Sequence, residues 1–106
     1  MTPPSHEGAK HLYAEFAAKP GAESRVALMV ARYAEQVRGE AGCLSFDPFV
    51  RRDDDRRWVV FETYLDEAAF QTHMTTEHNR VFNEQISSHI EGGASSVIHL
   101  ATPFEA

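Results

Sequence analysis

Four side chains able to do acid–base chemistry fall in one stretch of the sequence: Glu62, Tyr64, His73 and His78. An imidazole titrates near neutrality, so either histidine can serve as a general base. Each can equally be a capping or core-edge histidine bonded to backbone. Glu62 is a carboxylate in an otherwise apolar run, so it is either paired structurally, across a subunit contact for example, or works as an acid or base. Metal chemistry is a weaker reading of the same residues. His73 and His78 are five apart, whereas helical zinc pairs are spaced i, i+4; a break at Met74-Thr75-Thr76 can still bring them together, but the sequence indicates no third ligand, so no metal is expected. Cys43 shows neither the neighbouring base nor the electropositive setting that a thiolate nucleophile needs, and reads as a buried strand cysteine. Glycine loops of the nucleotide-binding types are absent. What remains is an apolar pocket with a few polar groups, the usual form of a small-molecule site. Tyr13, Phe46, Trp58, Tyr64 and Phe82 are the aromatic candidates to line it, each of which can also be plain core.

These residues must be positioned by the elements that carry them. His11 to Ala17 alternates, with Leu12, Ala14 and Phe16 on one side and His11, Tyr13 and Glu15 on the other, so a first strand is expected. Lys19-Pro20-Gly21 breaks it. From Ala22 the apolar residues recur at Val26, Met29, Val30, Tyr33, Ala34 and Val37, which predicts a helix over about 22–40. Residues 43–50 alternate again, and Pro48 places this second strand at an edge or on a bulge, because proline cannot donate to a ladder. Seven charged residues, 51–57, read as a solvated hairpin tip. The third strand, 58–65, is apolar on both faces over its first four residues, so both faces need cover. Asp66 is placed to cap a short helix through His73, and Thr75 or Thr76 a second one through Val81, Phe82, Gln85, Ile86, His89 and Ile90 that Gly92-Gly93 ends. Residues 95–101 make a fourth strand. The order β-α-β-β-α-α-β is the split βαβ, ferredoxin-like arrangement of the α+β class. The domain spans 10–102, between tails at 1–9 and 103–106.

A chain of 106 residues, 42% of them hydrophobic, holds one modest core. A domain of this size leaves roughly a third of its unfolded surface exposed, so pairing with a second copy is a natural source of further burial. The third strand calls for the same thing, since helices cover only one face of a small sheet. A homodimer is expected. The net charge of −6 with scattered basic residues excludes a nucleic-acid or anionic-membrane partner. No apolar run approaches the length of a membrane span, and the first residues hold no signal-peptide core. A single cysteine agrees with a reducing compartment, so a cytoplasmic location is expected.

Three segments together carry a family resemblance: Glu-Ala-Gly-Cys-Leu-Ser-Phe-Asp at 40–47, Trp-Val-Val-Phe-Glu-Thr-Tyr-Leu-Asp-Glu-Ala-Ala-Phe-Gln-Thr-His at 58–73, and Glu-His-Asn-Arg-Val-Phe at 77–82. Over about residues 10–102 the chain resembles the antibiotic biosynthesis monooxygenase domain family. The resemblance implies ferredoxin-like subunits whose sheets close into a dimeric α/β barrel. It also implies an oxygenase that needs neither metal nor flavin, acting with dioxygen on an electron-rich quinol or polycyclic phenol. Positions 46, 62, 64, 73 and 78 match the family pattern, which gives His78, His73 and Glu62 as catalytic candidates. The haem-degrading branch uses an asparagine on the first strand, which this chain lacks, so no cofactor is implied. Two other readings use the same residues: an isomerase or other proton-transfer enzyme on a small oxygenated metabolite, and a non-catalytic small-molecule-binding module.

Overall fold

The computed structural model describes residues 8–101, so most of the expected N-terminal tail, the whole C-terminal tail and residue 102 lie outside the described residues. The elements are β1 (Lys10–Ala17), α1 (Glu23–Arg38), β2 (Cys43–Arg51), β3 (Asp54–Tyr64), α2 (Glu67–Met74), α3 (Glu77–Ile86) and β4 (Ser96–Leu100), with two single 3₁₀ turns between α3 and β4. The four strands form one antiparallel sheet in the order β2-β3-β1-β4. That is the ferredoxin-like, α+β topology the periodicities predict.

Local chemistry accounts for the joints. Between β1 and α1, Ala22 donates to the Lys19 carbonyl at 2.9 Å across Pro20 and Gly21, and Gly21 has φ +87°. Proline then glycine at these positions is the signature of a type II turn. Asp66 accepts from the Ala69 backbone N–H at 2.7 Å and so caps α2, while Thr76 accepts from that of Asn79 at 3.2 Å and caps α3. Pro48 does lie on an edge strand, although the register shifts fall at Cys43/Ser45 and Val50/Arg51 instead.

Two expectations need correction. The charged run 51–57 is not a loop: β2 runs to Arg51, β3 restarts at Asp54, and only Arg52 and Asp53 form the turn. Ladder pairing uses backbone groups, so exposed charged side chains do not prevent it, and Arg51–Asp53 and Arg57–Asp54 ion pairs neutralise the tip. The last helix ends at Ile86 rather than continuing to Ile90. Ile90 is extended and bridges Ala18, with Lys19 donating to the His89 carbonyl at 2.9 Å, so contact with the end of β1 overrides the helical periodicity.

Register decides which side chains meet the helices. Leu12, Ala14 and Phe16 of β1 pair with Glu62, Val60 and Trp58 of β3, all on the covered face. There they meet Val26, Val30, Tyr33 and Val37 of α1 and Ile86 of α3 in two adjoining apolar clusters. The opposite face carries Tyr13, Phe49, Val59, Phe61, Ile98 and Leu100 in adjacent register. Among the described residues, no element packs on it, and Phe49 and Phe61 are 57% and 48% exposed. Among the described residues, no helix is long and apolar enough to cross a membrane.

Candidate functional site

Under α1, between the sheet and the roof made by α2 and α3, lies a cavity of about 110 Å³. Its walls are mostly apolar: Leu12 and Phe16 of β1, Val30 and Tyr33 of α1, Phe46 of β2, Val60 of β3, Phe82 of α3 and Val97 of β4. Tyr33 stacks on Phe82 at 4.0 Å between centroids and meets the edge of Phe46 at 5.6 Å, so three aromatic rings hold one another in place. The polar groups that reach the cavity are few. Glu62, His73, Asn79 and Asn83 supply them, with Ser95 at the rim.

His73 is the last helical residue but one in α2 and is 3% exposed. Its Nδ1 lies 3.0 and 3.2 Å from the two carboxylate oxygens of Glu40, in the link between α1 and β2. Its Nε2 lies 3.3 Å from the Tyr33 hydroxyl and 3.9 Å from Glu62 Oε1. Asn79 donates to the Tyr33 oxygen at 2.8 Å, which leaves the hydroxyl hydrogen of Tyr33 for His73 Nε2. His78, in the first turn of α3, places Nε2 2.6 Å from Glu40 Oε2. The result is one chain of hydrogen bonds from Asn79 through Tyr33, His73 and Glu40 to His78.

Burial tunes the acids. The Glu62 carboxyl is pushed up to about 7, chiefly by loss of water; the Tyr64 hydroxyl, donating to Oε1 at 2.7 Å, opposes this, and the charge of Glu40 adds to it. Glu62 is therefore shared between acid and base forms near neutral pH. Burial also pushes the phenols of Tyr33 and Tyr64 well above the ordinary tyrosine range, so both remain hydrogen-bond donors. The Cys43 thiol is raised by burial to about 11, which keeps it protonated and supports its reading as a structural cysteine.

Among the described residues, Glu40, His73 and His78 form a group of metal-ligand types with one donor atom each, all within 4.8 Å of one another. Glu40 is the third member that the sequence reading did not find. Ligands about 2.1 Å from a shared tetrahedral ion stand about 3.4 Å apart. The separations of 2.6 and 3.0 Å from Glu40 Oε2 are instead those of hydrogen bonds from two ring N–H groups. In this arrangement the three residues are a closed polar network.

Of the candidates named from the sequence, Glu62, His73, Phe46 and Phe82 meet at the cavity. The others sit elsewhere, for clear reasons. His78 does not line the cavity; its position at the start of α3 turns it to Glu40. Tyr64 is fully buried and does not line the cavity; its ring packs on His73, 4.8 Å between centroids, and its hydroxyl donates to Glu62. Trp58 stacks on Phe16, 6.1 Å between centroids, and faces a second depression beside Arg51, Arg57 and Glu91. Tyr13 is on the opposite face of the sheet, packed against Phe61, because it is out of phase with Leu12 and Ala14. Sequence reasoning missed Glu40, Tyr33 and Asn79. A glutamate held between Gly39 and Gly42, where a helix stops and a strand begins, was the available signal for the first. Tyr33 was visible only as one more residue of the apolar helix face.

A ferredoxin-like sheet with an acid–base cluster over an apolar cavity defines a small-molecule site on an α+β domain. The chain belongs to the antibiotic biosynthesis monooxygenase family, whose model matches residues 11–85. It is similar to an antibiotic biosynthesis monooxygenase of known crystal structure, with 29% identity and a TM-score of 0.81 over 89% of this chain and 99% of that one. Rv0793 from Mycobacterium tuberculosis is 26% identical, with a TM-score of 0.83 over 92% of this chain and 98% of its own. PA3566 from Pseudomonas aeruginosa is 25% identical, with a TM-score of 0.83 over 92% and 96% of the two chains. No curated protein matches the chain.

Proposed function

We propose that the protein is a monooxygenase that uses dioxygen to oxidise a one-ring quinol without a cofactor, with His73 as the base and Glu62 as the acid. The observation that carries this reading is the placement of His73 Nε2 and the Glu62 carboxyl, 3.9 Å apart, on the wall of a mostly apolar cavity. Family membership supports the reaction class. The cavity, about 110 Å³, is smaller than the roughly 150 Å³ that holds benzene, which counts against a polycyclic phenol.

The substrate hydroxyl displaces that of Tyr33 from His73 Nε2, which takes the phenolic proton, and the anion passes one electron to dioxygen. The radical pair combines to form a carbon–oxygen bond, and the resulting peroxide is protonated by the His73 imidazolium. Glu62 in its acid form protonates the distal oxygen as the O–O bond breaks, and the ring hydrogen on the same carbon leaves to regenerate the carboxyl. Hydroquinone and dioxygen thus give a hydroxyquinone and water. The substrate supplies the electrons; the protein supplies deprotonation, orientation and a largely dry wall. His78, first named as a base, is assigned no contact with substrate.

The uncovered apolar face of the sheet supports the homodimer, whose two sheets would pack face to face. A proton-transfer enzyme is the second reading. It is favoured by the same pair, because a carboxyl near 7 beside a histidine can move a proton between two carbons.

Dioxygen uptake by metal-stripped protein with substituted hydroquinones tests the proposal, with His73→Ala alongside. Uptake above the rate of autoxidation that is lost in a folded His73→Ala variant is the expected result. Uptake that survives that change refutes His73 as the base, and turnover of an oxygenated metabolite in the absence of dioxygen would favour the isomerase.

A further inference from the structure

The hydrogen-bond chain around His73 contains more than a base. A neutral imidazole carries its proton on one nitrogen only, and it can take a proton at the cavity only if Nε2 is the bare one. Something behind the ring must hold the proton on Nδ1. We propose that Glu40 is the positioning residue that fixes this tautomer, and that His78 holds Glu40 in place to do so. The inference rests on His73 being the base of the proposed reaction.

Three observations carry it. First, the Glu40 carboxylate meets Nδ1 with both oxygens, at 3.0 and 3.2 Å, and a carboxylate accepts hydrogen bonds without donating them. Second, Asn79 donates to the Tyr33 oxygen, which leaves the Tyr33 hydroxyl hydrogen available to Nε2 at 3.3 Å, the arrangement that a bare Nε2 requires. Third, Glu40 sits in a link between elements, where no helix or strand limits its rotamers, yet its side chain is only 11% exposed. The 2.6 Å contact from His78 Nε2 to Oε2 is what orients it. When His73 takes up a proton, the imidazolium forms 3.0 Å from a carboxylate largely removed from water, where the attraction is less screened than at a surface. His78 and His73 come from different helices, so the site is complete only when α2 and α3 are both docked on the α1–β2 link.

Glu40→Gln is the informative change. The glutamine amide has the same shape, but it can turn its NH₂ toward Nδ1 and drive the ring proton to Nε2, inside the cavity. The equivalent aspartate-to-asparagine change in a serine protease triad keeps the geometry, puts the histidine in the wrong tautomer and lowers kcat about 10⁴-fold.

The primary readout is the nitrogen NMR spectrum of protein labelled in its histidine rings. In the wild type, His73 is expected to show a protonated Nδ1 and a bare Nε2, and Glu40→Gln to invert the two. With a hydroquinone as probe, Glu40→Gln should lower kcat on the order of 10³- to 10⁴-fold with KM little changed. Glu40→Asp, which keeps the carboxylate, should retain the wild-type tautomer and recover part of kcat. His78→Phe should broaden or mix the His73 tautomers, while His78→Gln, which keeps an N–H donor, should not. A wild-type His73 protonated on Nε2, or an unchanged tautomer in Glu40→Gln, overturns the proposal; the first needs no variant to fold. If the tautomers behave as expected but no hydroquinone is oxidised by the wild type, Glu40 stands as the positioning residue and the oxygenase reading fails.

Discussion

Replacing Glu62 by glutamine should change how stability depends on pH in a way that can be calculated. Burial raises this carboxyl from 4.5 to about 7 in the folded protein. The folded state therefore binds more protons than the unfolded state between those values, and stability falls as pH rises through the window. The sign is opposite to that of a salt-bridged carboxylate, whose stabilisation is lost on acidification. A shift of this size corresponds to roughly 3 kcal/mol in total, most of which develops between pH 5 and pH 8. Glutamine cannot titrate, so the variant lacks this slope. Urea unfolding of both proteins at pH 5, 6, 7 and 8 gives the difference in unfolding free energy at each pH, and taking the difference cancels the other titrating groups. The stability of Glu62→Gln relative to the wild type should rise by about 2–3 kcal/mol across the range. In a domain of this size that is a shift of about 10–20 °C in relative Tm. A difference that stays constant within about 0.5 kcal/mol would show that Glu62 is no more desolvated than an ordinary surface carboxylate, and its assignment as the acid of the site would fall with it.

Other perturbations test separate parts of the structure. Tyr64→Phe removes the donor that opposes desolvation of Glu62; carboxyl carbon NMR should find the Glu62 midpoint above its wild-type value, and a lower one would contradict the assignment. Gly42→Ala puts a methyl group into Ala69 at the start of α2. That should cost about 1–3 kcal/mol in urea unfolding, with no cost meaning that α2 packs less closely on the α1–β2 link than described. Asp66→Ala removes the cap of α2 and should lower stability by about 1 kcal/mol. Phe61→Glu puts a charge at the centre of the uncovered sheet face. Light scattering is expected to give a dimer's mass for the wild type and a monomer's for the variant, and an equal mass for the two would place any subunit contact elsewhere.

The fold was legible because periodicity is a local property. Leu12, Ala14 and Phe16 recur every second residue, and Val26, Val30, Tyr33 and Val37 follow the helical period, so faces can be read without knowing what they meet. The cap at Asp66 is legible for the same reason, and that of α3 is narrowed to Thr75 or Thr76, of which the structure uses Thr76. The end of α3 was not, since Ile90 continues the helical pattern while its contact with Ala18 is set by the tertiary structure. Within the site, Glu62 and His73 stood out as polar residues on apolar faces. Glu40 did not, because its partners lie 33 and 38 residues away and a link between elements has no period to violate. The same limit applies to Tyr13: alternation separates the two faces of β1, but only the docked helices say which face encloses the cavity.

The alternation of β3 has one more consequence, for how this sequence can change. Trp58, Val60, Glu62 and Tyr64 point to the helices, and Val59, Phe61 and Thr63 to the bare side of the sheet. A single inserted or deleted residue within the strand would exchange these two sets, sending the carboxylate outside and an aromatic ring into the cavity. Substitutions can modify the two faces one at a time, but a change of length alters both at once. Insertions in this part of the gene should therefore be confined to the turn at Arg52 and Asp53, where added residues lengthen the hairpin and leave the register intact.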